Sequence, residues 1–157
     1  MVLVSKELQH QLIDHDHLQQ QLAALPSVQV LKAALQAGQS QLDDIFQEHK
    51  ENRINELVHA RAWLVDQILR MAWQQYSWPE EAALVAVGGY GRRELHPQSD
   101  VDLLILLGNG LNASSWHRCT QEFITFIWDL GLQIGSSVRT LEDCCEQAKN
   151  DITIATS

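Results

Sequence analysis

Two short apolar runs, Ala83 to Val87 and Val101 to Leu107, flank a polar connection that opens on Gly88-Gly89 and closes on Ser99-Asp100. This layout constrains the fold more than any other feature of the chain. Runs this short, rich in Val, Ile and Leu and bounded by turn residues, read as strands buried in a sheet. The polar connection is then held at the end of that sheet. Within the second run only Asp102 interrupts the apolar residues. Side chains two apart on a strand share a face, with Cα atoms about 6.5–7 Å apart, so Asp100 and Asp102 are predicted to converge. Val101, Leu103, Ile105 and Leu107 take the opposite face, while Leu104 and Leu106 continue the aspartate face away from the site.

A backbone turning at Gly88-Gly89 has no side chains to block a ligand and presents its N–H groups outward, which suits phosphate. A short helix over Tyr90 to Leu95 would add its N-terminal donors. By itself such a pair is more often a plain tight turn. The aspartates change that weighing. Two ionised carboxylates in a mostly apolar setting repel each other unless a cation or a shared proton compensates. Magnesium suits the pair, because it takes a few carboxylates, several waters and substrate phosphates rather than an all-protein cage.

The run Gly88-Gly89-Tyr90-Gly91-Arg92, followed by Glu94-Leu95-His96-Pro97 and Ser99-Asp100-Val101-Asp102-Leu103-Leu104-Ile105-Leu106, resembles the nucleotidyltransferase signature of bacterial PII uridylyltransferases. Trp128-Asp129-Leu130, Gly135, Ser137 to Glu142 and Asp151 to Thr156 are similar to the same family, so the resemblance extends from about Arg61 to the end. It implies an α+β fold with a small mixed β-sheet of polymerase-beta-like nucleotidyltransferase type and a mainly helical N-terminal extension. It also implies a helical region over residues 1–78 and a transferase core over 79–157, truncated at its C-terminal end. By this resemblance Gly88, Gly89, Arg92 and Ser99 bind the nucleotide, and Asp100 and Asp102 bind Mg2+ as the catalytic pair. The implied reaction moves UMP from UTP to a tyrosine of the PII signalling protein, with release of pyrophosphate.

Two departures stand out. Arg93 occupies a position where the family usually has glycine, and Ser136 one where it usually has histidine. Arg93 either assists phosphate binding or clashes if its position requires positive φ. Arg92 either adds charge near the phosphates or is a surface arginine, and His96 either bonds near the nucleotide or shapes the loop before Pro97. Such sites commonly use a third carboxylate on a neighbouring strand, yet the strand expected over Leu132 to Val138 has none. Asp129, Glu142, Asp143 and Asp151 are the nearest acids, and no spacing singles one out.

The full proteins of the family continue into a further helical segment, a hydrolase module and two glutamine-binding domains. The chain stops at Ser157 inside a family-like stretch, so it is expected to be an N-terminal fragment without deuridylylation or glutamine sensing. Two alternatives remain. One is another nucleotidyltransferase, such as a glutamine-synthetase adenylyltransferase-like enzyme, which shares a similar Gly-Gly and Ser-Asp-x-Asp arrangement. The other is a non-catalytic regulatory domain that binds nucleotide or partner.

A formal net charge of −9 disfavours nucleic acid as partner, since binding along phosphates needs a basic surface. No apolar stretch approaches a membrane span and no signal-peptide pattern opens the chain, so no membrane partner and a cytoplasmic location are expected. Cys119, Cys144 and Cys145 have neither zinc nor disulfide-framework spacing and read as reduced thiols.

The first half reads as three helices: Glu7 to Leu25, Val28 to Lys50 with Gly38 as a break, and a third from Arg53 to about Ser77. Trp63 and Trp73 are placed to pack against a partner. The Gln-rich first helix is either solvated or an interaction surface. His10, His15 and His17 read as a solvated polar face rather than a metal site, since i and i+2 diverge on a helix. After the aspartate strand, Ser114 or Ser115 is expected to cap a helix with Cys119, Phe123, Phe126, Ile127 and Leu130 on its apolar stripe, closed by Gly131. Thr140 is expected to start a last helix, Leu141 to Lys149.

Overall fold

The computed structural model describes residues 4–49, 54–96, 99–108, 116–140 and 146. Among the described residues the N-terminal half forms four helices rather than three. The expected first helix is divided into α1 (Lys6–Leu12) and α2 (His15–Ala24). Asp14 is the reason: its side chain accepts a hydrogen bond from His17 N–H at 3.1 Å, and Ile13 is extended with its side chain buried. Aspartate competes for nearby backbone donors, so it starts a helix better than it continues one. Leu25, ahead of Pro26, is extended and separates α2 from α3 (Ser27–His49), as the steric demand of proline requires.

No break occurs at Gly38. Helix α3 runs through it, and a Cβ at Gly38 would lie 2.7 Å from both terminal carbons of Leu64 on α4 (Ile54–Gln74). The glycine lets the two helices approach. Buried residues on α3, including Leu31, Leu35, Leu42 and Ile45, recur at helical spacing. On α4 the apolar face is wider, from Leu57 through Leu64, Val65, Ile68 and Leu69 to Ala72, because α4 packs against α1, α3 and a later helix. The Gln-rich start is not free of the core. Leu8, Leu12, Ile13 and Leu18 are buried from α1 and α2.

Three strands form the sheet among the described residues, in the order β1-β2-β3. Strand β1 (Ala82–Ala86) pairs antiparallel with the central β2 (Val101–Leu107), and β3 (Ile134–Thr140) pairs parallel with β2. The short α5 (Gly88–Gly91) follows β1, and α6 (His117–Asp129) makes the crossover that a parallel pair needs. Alternation along β2 is as expected: Val101, Leu103, Ile105 and Leu107 are buried, whereas Asp102, Leu104 and Leu106 are half-buried. The inward residues join Phe123 and Ile127 of α6 and the helical residues in one continuous core.

Helix α6 begins later than expected, with Trp116 as its N-cap; Ser114 and Ser115 lie outside the described residues. Its buried stripe is Thr120, Phe123 and Ile127, with Cys119 only half-buried beside it. Gly131 closes it with φ +93° and a hydrogen bond from its N–H to Trp128 O at 3.0 Å. Strand β3 is displaced by two residues from the expected Leu132 to Val138, so Thr140 ends a strand; Leu141 to Cys145 and Gln147 to Lys149 lie outside the described residues. Trp73 and Trp78 stack at 3.9 Å between ring centroids, with Phe123 edge-on at 5.3 and 5.6 Å. Trp63 meets His15 edge-on at 6.3 Å. Both tryptophans have neighbours within the chain itself.

Candidate active site

Asp102 is the second residue of the central strand, and its carboxylate lies between two residues that lack side chains. In β3 its register partner is Gly135. On the other side, Val87 N–H donates to Asp102 O at 3.0 Å, so Gly88 follows the last paired residue directly. A Cβ on Gly88 would lie 2.7 Å from Asp102 Oδ2, and one on Gly135 would lie 2.8 Å from Oδ1. Both distances are too short for a real carbon. The carboxylate therefore occupies space left by two glycines, and no hydrogen-bond or ion-pair partner holds it among the described residues.

Gly88 has φ +62°, a conformation that side chains rarely adopt. The N–H groups of Gly88, Gly89 and Tyr90 precede the first helical hydrogen bond of α5, from Gly91 N–H to Val87 O at 3.0 Å. The helix covers Gly88–Gly91 rather than Tyr90 to Leu95, because Arg92 and Arg93 turn the chain and Glu94 N–H returns to Gly89 O at 3.0 Å. Arg92 Nη2 lies 3.8 Å from where a Gly89 Cβ would stand, which places its charge over the glycine turn. Arg93 takes φ 61°, so its position is the positive-φ one that suits glycine.

Ser99 and Asp100 are exposed and lie ahead of β2, with Ser99 N–H donating to His96 O at 3.1 Å. Asp100 thus stands one residue outside the strand, where the pleat no longer dictates its direction. His96 and Ser99 line a 420 Å³ cavity with Gln39 and Arg61 of the helical half. Leu95 is buried and its N–H donates to Val58 O at 3.4 Å, which fixes this loop on α4. Gly88, Gly89, Arg92 and Asp102 are thereby brought together, with Ser99 and Asp100 at the strand entry.

Two residues that carried the resemblance were given no role in the arrangement by sequence reasoning. Gly135 is one, although a glycine inside a strand is itself a sign of close approach. Tyr90 is the other. It is buried on α5, and its hydroxyl donates to Asp66 Oδ1 at 3.4 Å, while Asp66 pairs with Arg70 at 2.9 Å. Burial, then the Asp66 charge and hydrogen bond, push the Tyr90 hydroxyl well above its ordinary value of 10.0. No spacing links Tyr90 to Asp66 in the sequence.

No cluster of three or more His, Cys, Asp or Glu that could hold a metal occurs among the described residues. Asp129 is exposed at the end of α6, and Glu142, Asp143 and Asp151 lie outside the described residues. His10, His15 and His17 are exposed, and His15 Nε2 lies 3.0 Å from Gln67 Oε1, so α2 is tied to α4 through it. No helix among the described residues is long and apolar enough to cross a membrane.

The family model described as a nucleotidyltransferase domain matches residues 65–154, which include the sheet, the glycine turn and both aspartates. The chain is 45% identical over 150 residues to a bifunctional uridylyltransferase/uridylyl-removing enzyme of Pseudomonas putida strain GB-1, covering 94% of this chain and 16% of that protein. Identity is also 45% over 149 residues with the enzyme of the same name from Azotobacter vinelandii strain DJ, covering 93% and 16%. The chain thus spans 16% of the length of these curated relatives. No solved structure matches it. With this identity along nearly its whole length and the family model on its sheet and turn, the chain belongs to the nucleotidyltransferases, in the α+β fold of polymerase-beta-like type.

Proposed function

We propose that this chain carries the metal- and phosphate-binding part of a uridylyl-transfer site, acting on UTP and a tyrosine of the PII signalling protein in the cytoplasm. The helical region is residues 1–78 and the transferase core is 79–157. One observation carries the reading: the Asp102 carboxylate is held between Gly88 and Gly135 with no partner of its own among the described residues.

The donor set fits Mg2+. Two carboxylates, one half-buried and one exposed, would leave room for the water and substrate phosphates that this ion prefers as further ligands. When bound, the ion offsets charge on the phosphate oxygens during displacement. Asp100 and Asp102 would hold it. The N–H groups of Gly88 and Gly89 take up phosphate oxygens, Arg92 supplies a nearby positive charge, and Ser99 offers a hydroxyl at the strand entry. These groups position the α-phosphorus. The tyrosine oxygen forms a bond to that phosphorus as the bond to the bridging oxygen breaks, pyrophosphate leaves with the electron pair, and the phenolic proton passes to water.

Calorimetry of the chain with UTP, ATP, CTP and GTP in magnesium buffer tests this reading. UTP is expected to bind in preference, and Asp102→Asn to weaken it about ten- to a hundredfold, as loss of a charge-assisted contact should. Absence of binding to every nucleotide overturns the enzyme reading, and preference for ATP moves it to an adenylyltransferase. In a second arm, transfer of labelled UMP to PII by the full-length enzyme should vanish on Asp102→Asn, while circular-dichroism melting stays unchanged. Transfer that persists in the variant refutes the metal assignment.

A further inference from the structure

A 590 Å³ cavity lies between α1, α4, α5 and the turn that follows α5. Its size falls in the range of small-molecule sites, about 300–1,000 Å³. Lys6 from α1, Arg70 from α4 and Arg93 from the turn line it, with Asp66 as the acid among its lining residues. On a chain of net charge −9 this is a local reversal of sign. Asp66 is moreover already engaged, by Arg70 at 2.9 Å and the Tyr90 hydroxyl at 3.4 Å. Lys6 and Arg93 have no ion-pair partner among the described residues. Trp63 and Tyr90 supply aromatic surface to the same walls.

Arg93 sharpens the argument. Its φ of 61° costs a non-glycine residue on the order of 1 kcal/mol or more, and glycine would remove that cost. A strained arginine on the wall of a cavity contributes what glycine cannot, a guanidinium. We propose that this cavity is a binding site for a small organic anion with an apolar or aromatic body, whose charged head lies between Lys6 and Arg93. The cavity shares α5 with the glycine turn, but Gly88, Gly89 and Asp102 are not among its lining residues, so the proposal does not depend on the nucleotide reading. Its cations come from two elements far apart in sequence.

Fluorescence titration of the chain with 8-anilinonaphthalene-1-sulfonate as the probe tests the site. The probe should bind, and Arg93→Gly and Lys6→Gln should each weaken it about tenfold, the value of one charge-assisted contact. Arg93→Gly should melt at or above the wild-type temperature, by about 2–4 °C, because the φ strain is relieved. Its loss of affinity is then not loss of fold. Equal affinity in wild type and both variants overturns the proposal, as does displacement of the probe by magnesium-UTP, which would put it at the glycine turn instead.

Discussion

Asp102 and its two glycines separate two effects that glycine can have. Gly135 carries no positive φ; its role is the space it leaves, since a Cβ there would stand 2.8 Å from Asp102 Oδ1. Gly135→Ala should rotate the carboxylate away from its place and weaken magnesium-UTP binding about tenfold in calorimetry, while changing stability by less than about 1–2 kcal/mol. Unaltered affinity would show that Asp102 does not need this space. Gly88 has both the crowding, 2.7 Å to Oδ2, and the φ of +62°. Gly88→Ala should therefore also destabilise the fold, by about 1–3 kcal/mol in urea titration, the cost of a strained backbone. The sequence reading joined both aspartates and the Gly-Gly pair in one site; the structure places Asp102 beside Gly88, with Asp100 exposed ahead of the strand. Gly135 was not linked to them, because register between strands is not a local property.

Among the elements, α3 and α4 show how local propensity is overridden. Glycine inside a helix normally costs about 1 kcal/mol against alanine, so Gly38→Ala would stabilise an isolated helix. Here the added carbon would lie 2.7 Å from two atoms of Leu64, which is fully buried. Gly38→Ala is expected to destabilise the protein by about 1–3 kcal/mol, as overpacking does, and a shift of the urea midpoint to higher concentration would contradict this. Sequence periodicity located α3 and α4 but took Gly38 for a break, since a glycine at a helix contact looks the same as one at a helix end. The division between α1 and α2 was missed for a related reason. Asp14 is compatible with a solvated helix face, and its capping bond to His17 N–H becomes decisive only once Ile13 leaves the helix to enter the core.

At the scale of the whole molecule, the helical half and the sheet half share one core and are tied at named points. Leu95 N–H bonds to Val58 O, and Tyr90 bonds to Asp66. The raised Tyr90 hydroxyl makes the second tie sensitive to pH. Below its ordinary value of 10.0 the hydroxyl is protonated in both folded and unfolded chains, and its contribution is fully present. As pH rises past that value the unfolded chain loses the proton first, so stability falls until the folded hydroxyl also titrates. Urea midpoints measured from about pH 8 to about pH 11 should decline in the wild type and decline less steeply in Tyr90→Phe. Parallel slopes would mean that the hydroxyl is not buried against Asp66. Tyr76 and Cys119 are also raised, by burial first and Glu122 second, so the comparison of slopes isolates Tyr90 from them.

Sequence by itself determined what depends on neighbours along the chain. The alternation that buries Val101, Leu103, Ile105 and Leu107, the short strands around a glycine turn, and the helical spacing in the first half all follow from side-chain direction within one element. Tertiary structure alone decided which elements meet: Gly135 beside Asp102, Leu64 against Gly38, Asp66 beneath Tyr90. It also settled that Arg93 stands at positive φ, because that conformation is imposed by the closure of the loop onto Gly89 and α4. The physical reason is common to these cases. Periodicity sets the face a side chain occupies, whereas its partner across the core is chosen by packing among segments distant in sequence.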